Sequence, residues 1–274
     1  MGRHFDVTVK PTIKASKQTG AFAAGDILFD WTAFNIPRGT SRLLNVMALV
    51  RGTDGADQTN RDIELFFAKS INGVAPTTLG DLNAAVDTPG WFNNLIGMQY
   101  LDVSANSIGS SDDLVYMSMY QMGSRGGGPD LVLSGERIGG SAGFDTIYVA
   151  GIAQGALNFS TAVETTAAED VSALSTAIIG GTSALDNGSG ATAACLDKFA
   201  VGDILHAEDD IILGEIARHD CVDQFHGNGH LLYEVPDNLA AWQVQNGAGA
   251  AGDLADGDEI YNVHPVTLKF SFEQ

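Results

Sequence analysis

Apolar and polar positions alternate in short runs along most of this chain, and this is the period of a half-buried β-strand. The clearest run is 266–272, where Val266, Leu268, Phe270 and Phe272 share one face and the positions between them are polar. The pattern predicts strands over 5–13, 27–36, 43–50, 63–68, 114–122, 146–153, 211–217, 231–235, 239–244 and 266–272. Two segments, 76–86 and 166–178, instead have helical spacing behind residues suited to helix capping, and each predicts a short helix.

One heptapeptide occurs twice, as FAAGDIL over 22–28 and as FAVGDIL over 199–205, with six of its seven positions identical. The glycine tolerates a positive φ where the chain reverses, and the aspartate can bond to its own backbone beyond the turn. The Ile-Leu pair then opens an apolar extended run. Each copy therefore predicts a turn followed by the start of a strand, and the repetition suggests two related β modules.

These patterns predict an all-β protein of two β-sandwich or barrel-like modules with one or two short helices. The glycine-rich stretch around Gly126 to Gly128 is the best candidate for a linker. We therefore expect an N-terminal β domain over 1–125, a glycine-rich linker or loop over 126–145 and a C-terminal β domain over 146–274. The composition agrees with a folded chain, because 45% of its 274 residues are hydrophobic and only 18% are charged.

The formal net charge of −20 argues against nucleic acid and anionic membranes as partners, because both are bound through clustered Lys and Arg. The charge is unevenly distributed. Residues 1–70 carry nine Lys or Arg against seven Asp or Glu, whereas residues 71–274 carry five against twenty-seven. Either the acidic surface only keeps the protein soluble, or the first 70 residues dock on an acidic partner while the remainder faces solvent.

The sequence offers little that resembles catalytic or cofactor chemistry. We find no nucleophile elbow, phosphate-binding glycine loop or zinc-protease helix, so we predict no enzyme, no catalytic residue and no cofactor. Cys195 and Cys221 are too few for a disulfide scaffold. No apolar run is long enough to cross a membrane, and the first residues lack the apolar core of a secretory signal, so we expect neither an export nor a membrane segment.

One group of residues has donor types that zinc prefers, namely His219, Cys221, His226 and His230. Their spacing matches no standard zinc pattern, so histidines that satisfy loop backbone groups or face solvent are the favoured interpretation. The acidic runs 208–210 and 253–259 lack the order of an EF-hand loop, and acidic turns explain them better than calcium sites.

Four segments resemble virion structural proteins of marine tailed bacteriophages, especially those that infect cyanobacteria. They are GDILFDWTAFNIPRG over 25–39, RLLNV over 42–46, IELFFA over 63–68 and DGDEIYNVHP over 256–265. The resemblance covers about a third of the chain and consists of strand and turn segments. It implies a multicopy protein of the virion, assembled in the host cytoplasm and working without catalysis.

Within that resemblance we expect a capsid decoration or cement protein bound to the head surface. Its partners would be the major capsid protein or other virion proteins, and it would be homo-oligomeric or multicopy on the particle. The less acidic first 70 residues would contact the shell through Arg38, Arg42, Arg51 and Arg61. The alternative for each of these arginines is a pair with acids of its own domain.

Three other functions are open from the sequence alone. A tail tube or baseplate protein would line a channel with acidic groups that repel DNA. A cell-surface β-sandwich adhesin or carbohydrate-binding module belongs to a different class, as does an acidic glycosidase, for which any pair of carboxylates is a candidate.

Overall fold

The computed structural model describes residues 2–51, 62–87, 89–102, 107–111, 114–119, 131–137, 143–159, 164–165, 176–179, 185–186, 202–207, 210, 212–221, 240–245 and 259–274. These residues form two short helical elements, α1 (Ala15–Gln18) and a 3-10 helix (Phe92–Asn94). Their strands are β1 (His4–Val9), β2 (Ile27–Pro37), β3 (Thr40–Arg51), β4 (Ile63–Ala68), β5 (Leu95–Leu101), β6 (Ser107–Ser111), β7 (Leu114–Met119), β8 (Leu131–Ser134), β9 (Phe144–Ala153), β10 (Glu164–Thr165), β11 (Thr176–Ile179), β12 (Leu185–Asp186), β13 (Ile204–Ala207), β14 (Ile212–Cys221), β15 (Ala240–Gln245), β16 (Ile260–Asn262) and β17 (Val266–Glu273). The predicted all-β class is confirmed.

The described strands pair in three large antiparallel sheets and one small one. The first sheet has the order β1-β17-β3-β7-β6, with β8 also paired to β3. The second sheet has the order β2-β9-β4-β5, and the third has the order β11-β15-β14-β13-β16. The pair β10 and β12 forms the small sheet.

The first and second sheets pack face to face as a sandwich. Phe270 of β17 lies 5.3 Å from Phe34 of β2 and 5.5 Å from Phe67 of β4, measured between ring centroids. The alternating residues predicted to share one face of the last strand, Val266, Leu268, Phe270 and Phe272, are all fully buried in this core. The period-2 pattern therefore gave both the strand and its inward face.

The predicted division into domains 1–125 and 146–274 is not compatible with this pairing. β17 lies between β1 and β3, and β9 lies between β2 and β4, so strands from both sides of the boundary share two sheets. The predicted linker over 126–145 also contains β8, which pairs with β3. Periodicity identifies a strand but not its partner, and these pairings join residues far apart in sequence.

The helix predicted over 76–86 is also wrong, because these residues form turns and extended chain. Gly80 and Asn83 both have positive φ, of 136° and 53°, which no α-helix allows. Leu79 is buried against the outer face of the second sheet, together with Trp91. A segment that packs across a sheet buries apolar residues at intervals, as an amphipathic helix does. The spacing of apolar residues over 76–86 therefore did not distinguish the two. The other predicted helix, 166–178, lies mostly outside the described residues, and its last positions belong to β11.

The first copy of the repeated heptapeptide, and the described residues 202–205 of the second, form the predicted turn and strand start. Gly25 and Gly202 have φ of 94° and 90°. The Gly25 amide donates to the Ala153 carbonyl at 2.8 Å, and the Ala153 amide donates to the carbonyl of Asp26 at 2.9 Å. In the second copy, Gly202 and the following aspartate make the same two bonds to Ile216, each 2.8 Å long. The repetition in sequence is therefore a repetition of one backbone arrangement.

We expect Gly25→Ala and Gly202→Ala each to lower the free energy of unfolding by about 1 kcal/mol, measured by urea denaturation. A Cβ at either glycine would meet no atom within 4 Å, so the whole effect comes from the positive φ. Gly20→Ala is the control, because Gly20 also has open space but no positive φ. Equal stabilities for all three variants would contradict this account.

Candidate functional site

The turn between β2 and β3 lies next to two pairs of residues that each include an exposed apolar side chain. We call it the hairpin corner and define it by Arg38, Arg42, Val132 and Phe144. Arg38 lies in the turn between β2 and β3, and Phe144 pairs with the last residue of β2. Arg42 pairs with Val132 across β3 and β8. Val132 is 61% exposed and Phe144 is 50% exposed.

Hydrogen bonds hold the backbone of the hairpin on both sides. The Arg38 side chain is exposed. Gly39 has a φ of 113°, and its amide donates to the Asp145 carboxylate at 3.0 Å. The Arg38 amide donates to the Gly143 carbonyl at 3.0 Å, and the Gln274 side chain donates to the Arg38 carbonyl at 2.6 Å. These bonds fix the turn, and none of them involves the Arg38 guanidinium group.

Arg42 and Val132 face outward, because the next residue along each of their strands points into the core. Leu43 and Leu133 are both buried in the core, at exposures of 1% and 0%. Since successive side chains alternate between the faces of a strand, Arg42 and Val132 lie side by side on the outer face of the first sheet. Glu273 is the register partner of Arg42 on its other side.

The remaining predicted site residues are placed only in part. Arg51 is the last residue of β3, and Arg61 lies outside the described residues. Of the four candidate metal ligands, His219 and Cys221 lie on β14, while His226 and His230 lie outside the described residues. Within the described part of the chain, no three His, Cys, Asp or Glu side chains gather as a metal site would require.

A second feature is a cleft of about 440 Å³ beside α1, which we call the lysine cleft. It is lined by Lys10, Lys14, Lys17, Asp30, Trp31 and Asp81, among others. Three of the six lysines in the sequence thus surround one cavity, although the whole chain carries a net charge of −20. The excess of basic over acidic residues in the first 70 positions was the sequence signal for this site. The cleft itself was not predicted, because its walls come from segments distant in sequence.

A third feature is a buried polar cluster where α1 meets the third sheet. The Gln18 side chain lies with its Nε2 atom 2.7 Å from the Ile13 carbonyl oxygen, 2.9 Å from the Asn262 carbonyl oxygen and 3.2 Å from His206 Nε2. His206 is 2% exposed. Burial lowers its pKa to about 4, while the nearby Asp210 carboxylate opposes that shift. His206 was not among the site residues predicted from the sequence.

Comparisons with known proteins assign no family. No protein family and no curated protein matches the chain. A solved structure of infectious bursal disease virus, Gx strain, aligns with 99% of this chain at 11% identity and a TM-score of 0.16. This chain spans 41% of the length of that chain. A TM-score of this size carries no argument about fold or function. In the described part of the protein, no helix has the length and apolarity needed to span a membrane.

Proposed function

We propose that this protein is a non-enzymatic structural component of a tailed-bacteriophage particle and decorates the surface of the head. The resemblance of four segments to virion proteins of marine phages suggests the class. The observation that carries the assignment to a surface is the hairpin corner, where Arg42 pairs with the exposed Val132 and Arg38 follows the residue that pairs with the exposed Phe144.

The composition of the hairpin corner suits a protein interface. Arginine and aromatic side chains supply much of the binding energy at such interfaces, because they combine large contact areas with directed polar groups. Phe144 and Val132 are each at least half exposed, so covering them removes apolar surface from water. The Arg38 guanidinium makes no bond to any other described residue and is available to a carboxylate of the shell.

The charge distribution suits a protein present in many copies on one particle. Residues 71–274 carry twenty-seven acidic residues against five basic ones. A surface of one sign keeps crowded copies from associating with each other through the wrong faces. In the expected homo-oligomer several linked copies attach together, so a modest affinity at each contact, such as the hairpin corner, is sufficient.

The proposal predicts saturable binding to purified phage heads that lack this protein, at a stoichiometry set by the capsid symmetry. We expect Arg38→Glu/Phe144→Ser to weaken that binding at least tenfold, because it removes a cation and an apolar contact together. Binding is measured by sedimentation with heads, and the mass of the free protein by light scattering.

Lys10→Glu/Phe92→Ser is the matched control. Lys10 is exposed and Phe92 is 59% exposed, and neither belongs to the hairpin corner. We expect this variant to bind heads as the unchanged protein does. Equal loss in both variants would refute the hairpin corner as the contact. Rings or tubes that form without heads would assign the protein to the tail instead, and a monomer that ignores heads would overturn the virion assignment altogether.

A further inference from the structure

The lysine cleft has the charge of an anion-binding site. Lys10, Lys14 and Lys17 line it, and none of the three makes an ion pair or side-chain hydrogen bond within the described part of the chain. Asp30 and Asp81 leave the lining with a formal charge of +1. In a protein of net charge −20, a positive concave surface attracts anions that the remaining surface repels.

The size of the cleft suits a small molecule. Its volume of about 440 Å³ lies within the range of about 300–1,000 Å³ that is typical of ligand pockets. Lys10 and Lys14 are exposed at its rim, whereas Trp31 and Asp30 are half-buried. A ligand can therefore enter from solvent and meet an ordered wall.

Trp31 forms an aromatic wall of the cleft and is held in place from behind. Its indole Nε1–H donates to the Thr77 carbonyl at 2.8 Å. Its ring meets Trp91 edge to face, with 5.9 Å between ring centroids and an interplanar angle of 62°. Trp91 is 3% exposed, so the support is rigid. The indole is thereby fixed before any ligand arrives, and fixing it costs no entropy on binding.

The polar wall beside Trp31 is also partly fixed. One carboxylate oxygen of Asp30, Oδ1, accepts the Leu79 amide at 3.1 Å, which orients the carboxylate and leaves Oδ2 as an acceptor. Asp81 and the hydroxyls of Thr12 and Thr32 complete a lining that can both accept and donate hydrogen bonds.

We propose that the lysine cleft binds an acidic saccharide, that is, a sugar ring carrying a carboxylate. The three kinds of group in the cleft match the three kinds of surface on such a ligand. The apolar face of the ring lies on Trp31, the hydroxyls bond to Asp30 and Asp81, and the carboxylates meet the lysines. A simple polyanion or an acidic peptide would contact the lysines but would not stack a ring on Trp31.

The test is calorimetric titration of the full chain with trigalacturonic acid. Two further probes separate the contributions: its fully methyl-esterified form keeps the rings without the charge, and tricarballylate keeps three carboxylates without the rings. We expect trigalacturonic acid to bind and both other probes to bind at least tenfold more weakly. The affinity should fall as salt is added, because the contacts are ionic and close to solvent.

Three variants address the cleft directly. Lys10→Glu/Lys14→Glu should weaken binding of trigalacturonic acid at least tenfold. The control Arg3→Glu/Arg38→Glu changes the charge equally at exposed positions outside the cleft and should stay within twofold of the unchanged protein. Trp31→Ala should weaken binding at least fivefold, and Trp31→Phe, which preserves an aromatic wall, should weaken it less.

Three results would overturn the proposal. One is no binding of trigalacturonic acid at millimolar concentration. Another is tricarballylate binding as tightly while Trp31→Ala has no effect, which would mean a simple anion site. The third is equal loss in both charge-reversal variants, which would mean that only overall charge matters. The proposal is independent of head binding, since the control variant Arg3→Glu/Arg38→Glu alters the hairpin corner and leaves the cleft intact.

Discussion

Gly151→Ala is expected to lower the free energy of unfolding by about 2–3 kcal/mol, because the added methyl group has no space. A Cβ at Gly151 would collide with the ring of Phe29, with the ring Cζ atom only 2.6 Å away. Phe29 is fully buried in the core of the sandwich. The backbone of β9 cannot withdraw either, since β2 pairs with it on one side and β4 on the other.

Urea denaturation of three variants and a double variant tests this close approach. Gly20→Ala serves as the control, because no atom lies within 4 Å of its added Cβ, and it should stay within about 0.5 kcal/mol of the unchanged protein. Phe29→Leu alone leaves a cavity and is destabilising. The double variant Gly151→Ala/Phe29→Leu should be more stable than the sum of the two losses predicts, by at least about 1 kcal/mol. Additive losses would show that the methyl group and the ring do not compete for space.

The same pair of residues illustrates why much of the fold was predictable and some was not. The extended run over 27–36 predicts β2, in which Phe29 is fully buried. No local pattern indicates that Phe29 lies over Gly151, because 122 positions separate them and only strand pairing brings them together. Local signals therefore predicted strands, faces and the repeated turn, whereas the partners of β9 and β17 depend on nonlocal pairing.

The candidate sites divide in the same way. Arg38 and Arg42 were expected to contact a partner because they lie in the less acidic part of the chain. Their apolar neighbours Val132 and Phe144 come from a region that the sequence assigned to a linker. The lysine cleft joins residues 10–17, 30–32 and 80–82, and the last of these segments was predicted as a helix. Because 76–86 was predicted as a helix, the sequence did not indicate that residues 80–82 form one wall of the cleft.

The protein is expected to lose stability on acidification through the buried histidine His206. His206 lies on β13 with 2% of its surface exposed, and burial lowers its pKa from 6.5 to about 4. The Asp210 carboxylate and the backbone of Asn262 oppose this shift, whereas His264 adds to it. Gln18 Nε2 faces His206 Nε2 at 3.2 Å and can only donate, so a charged imidazole would set two donors against each other there.

The direction of the effect follows from which state binds the proton. Unfolded, His206 takes up a proton as the pH falls through about 6.5, but folded it does so only near pH 4. Between these values the unfolded chain binds more protons, so the free energy of unfolding decreases with falling pH. The contribution of His206 is complete above pH 6.5, and about 3 kcal/mol of it is lost by pH 4, at about 1.4 kcal/mol per pH unit.

Urea denaturation of the unchanged protein and of His206→Gln, from pH 7 to pH 5, isolates this effect. The carboxylates titrate in both proteins and cancel in the difference. The variant should be less stable at pH 7, where it loses the packed imidazole beside Tyr261, but its disadvantage should shrink by about 2 kcal/mol at pH 5. His4→Gln is the control, because His4 is exposed and faces water in both states. If the free energies of unfolding of the unchanged protein and of His206→Gln fell in parallel from pH 7 to pH 5, the account would be wrong. His206 would then take up its proton in the folded protein over this pH range.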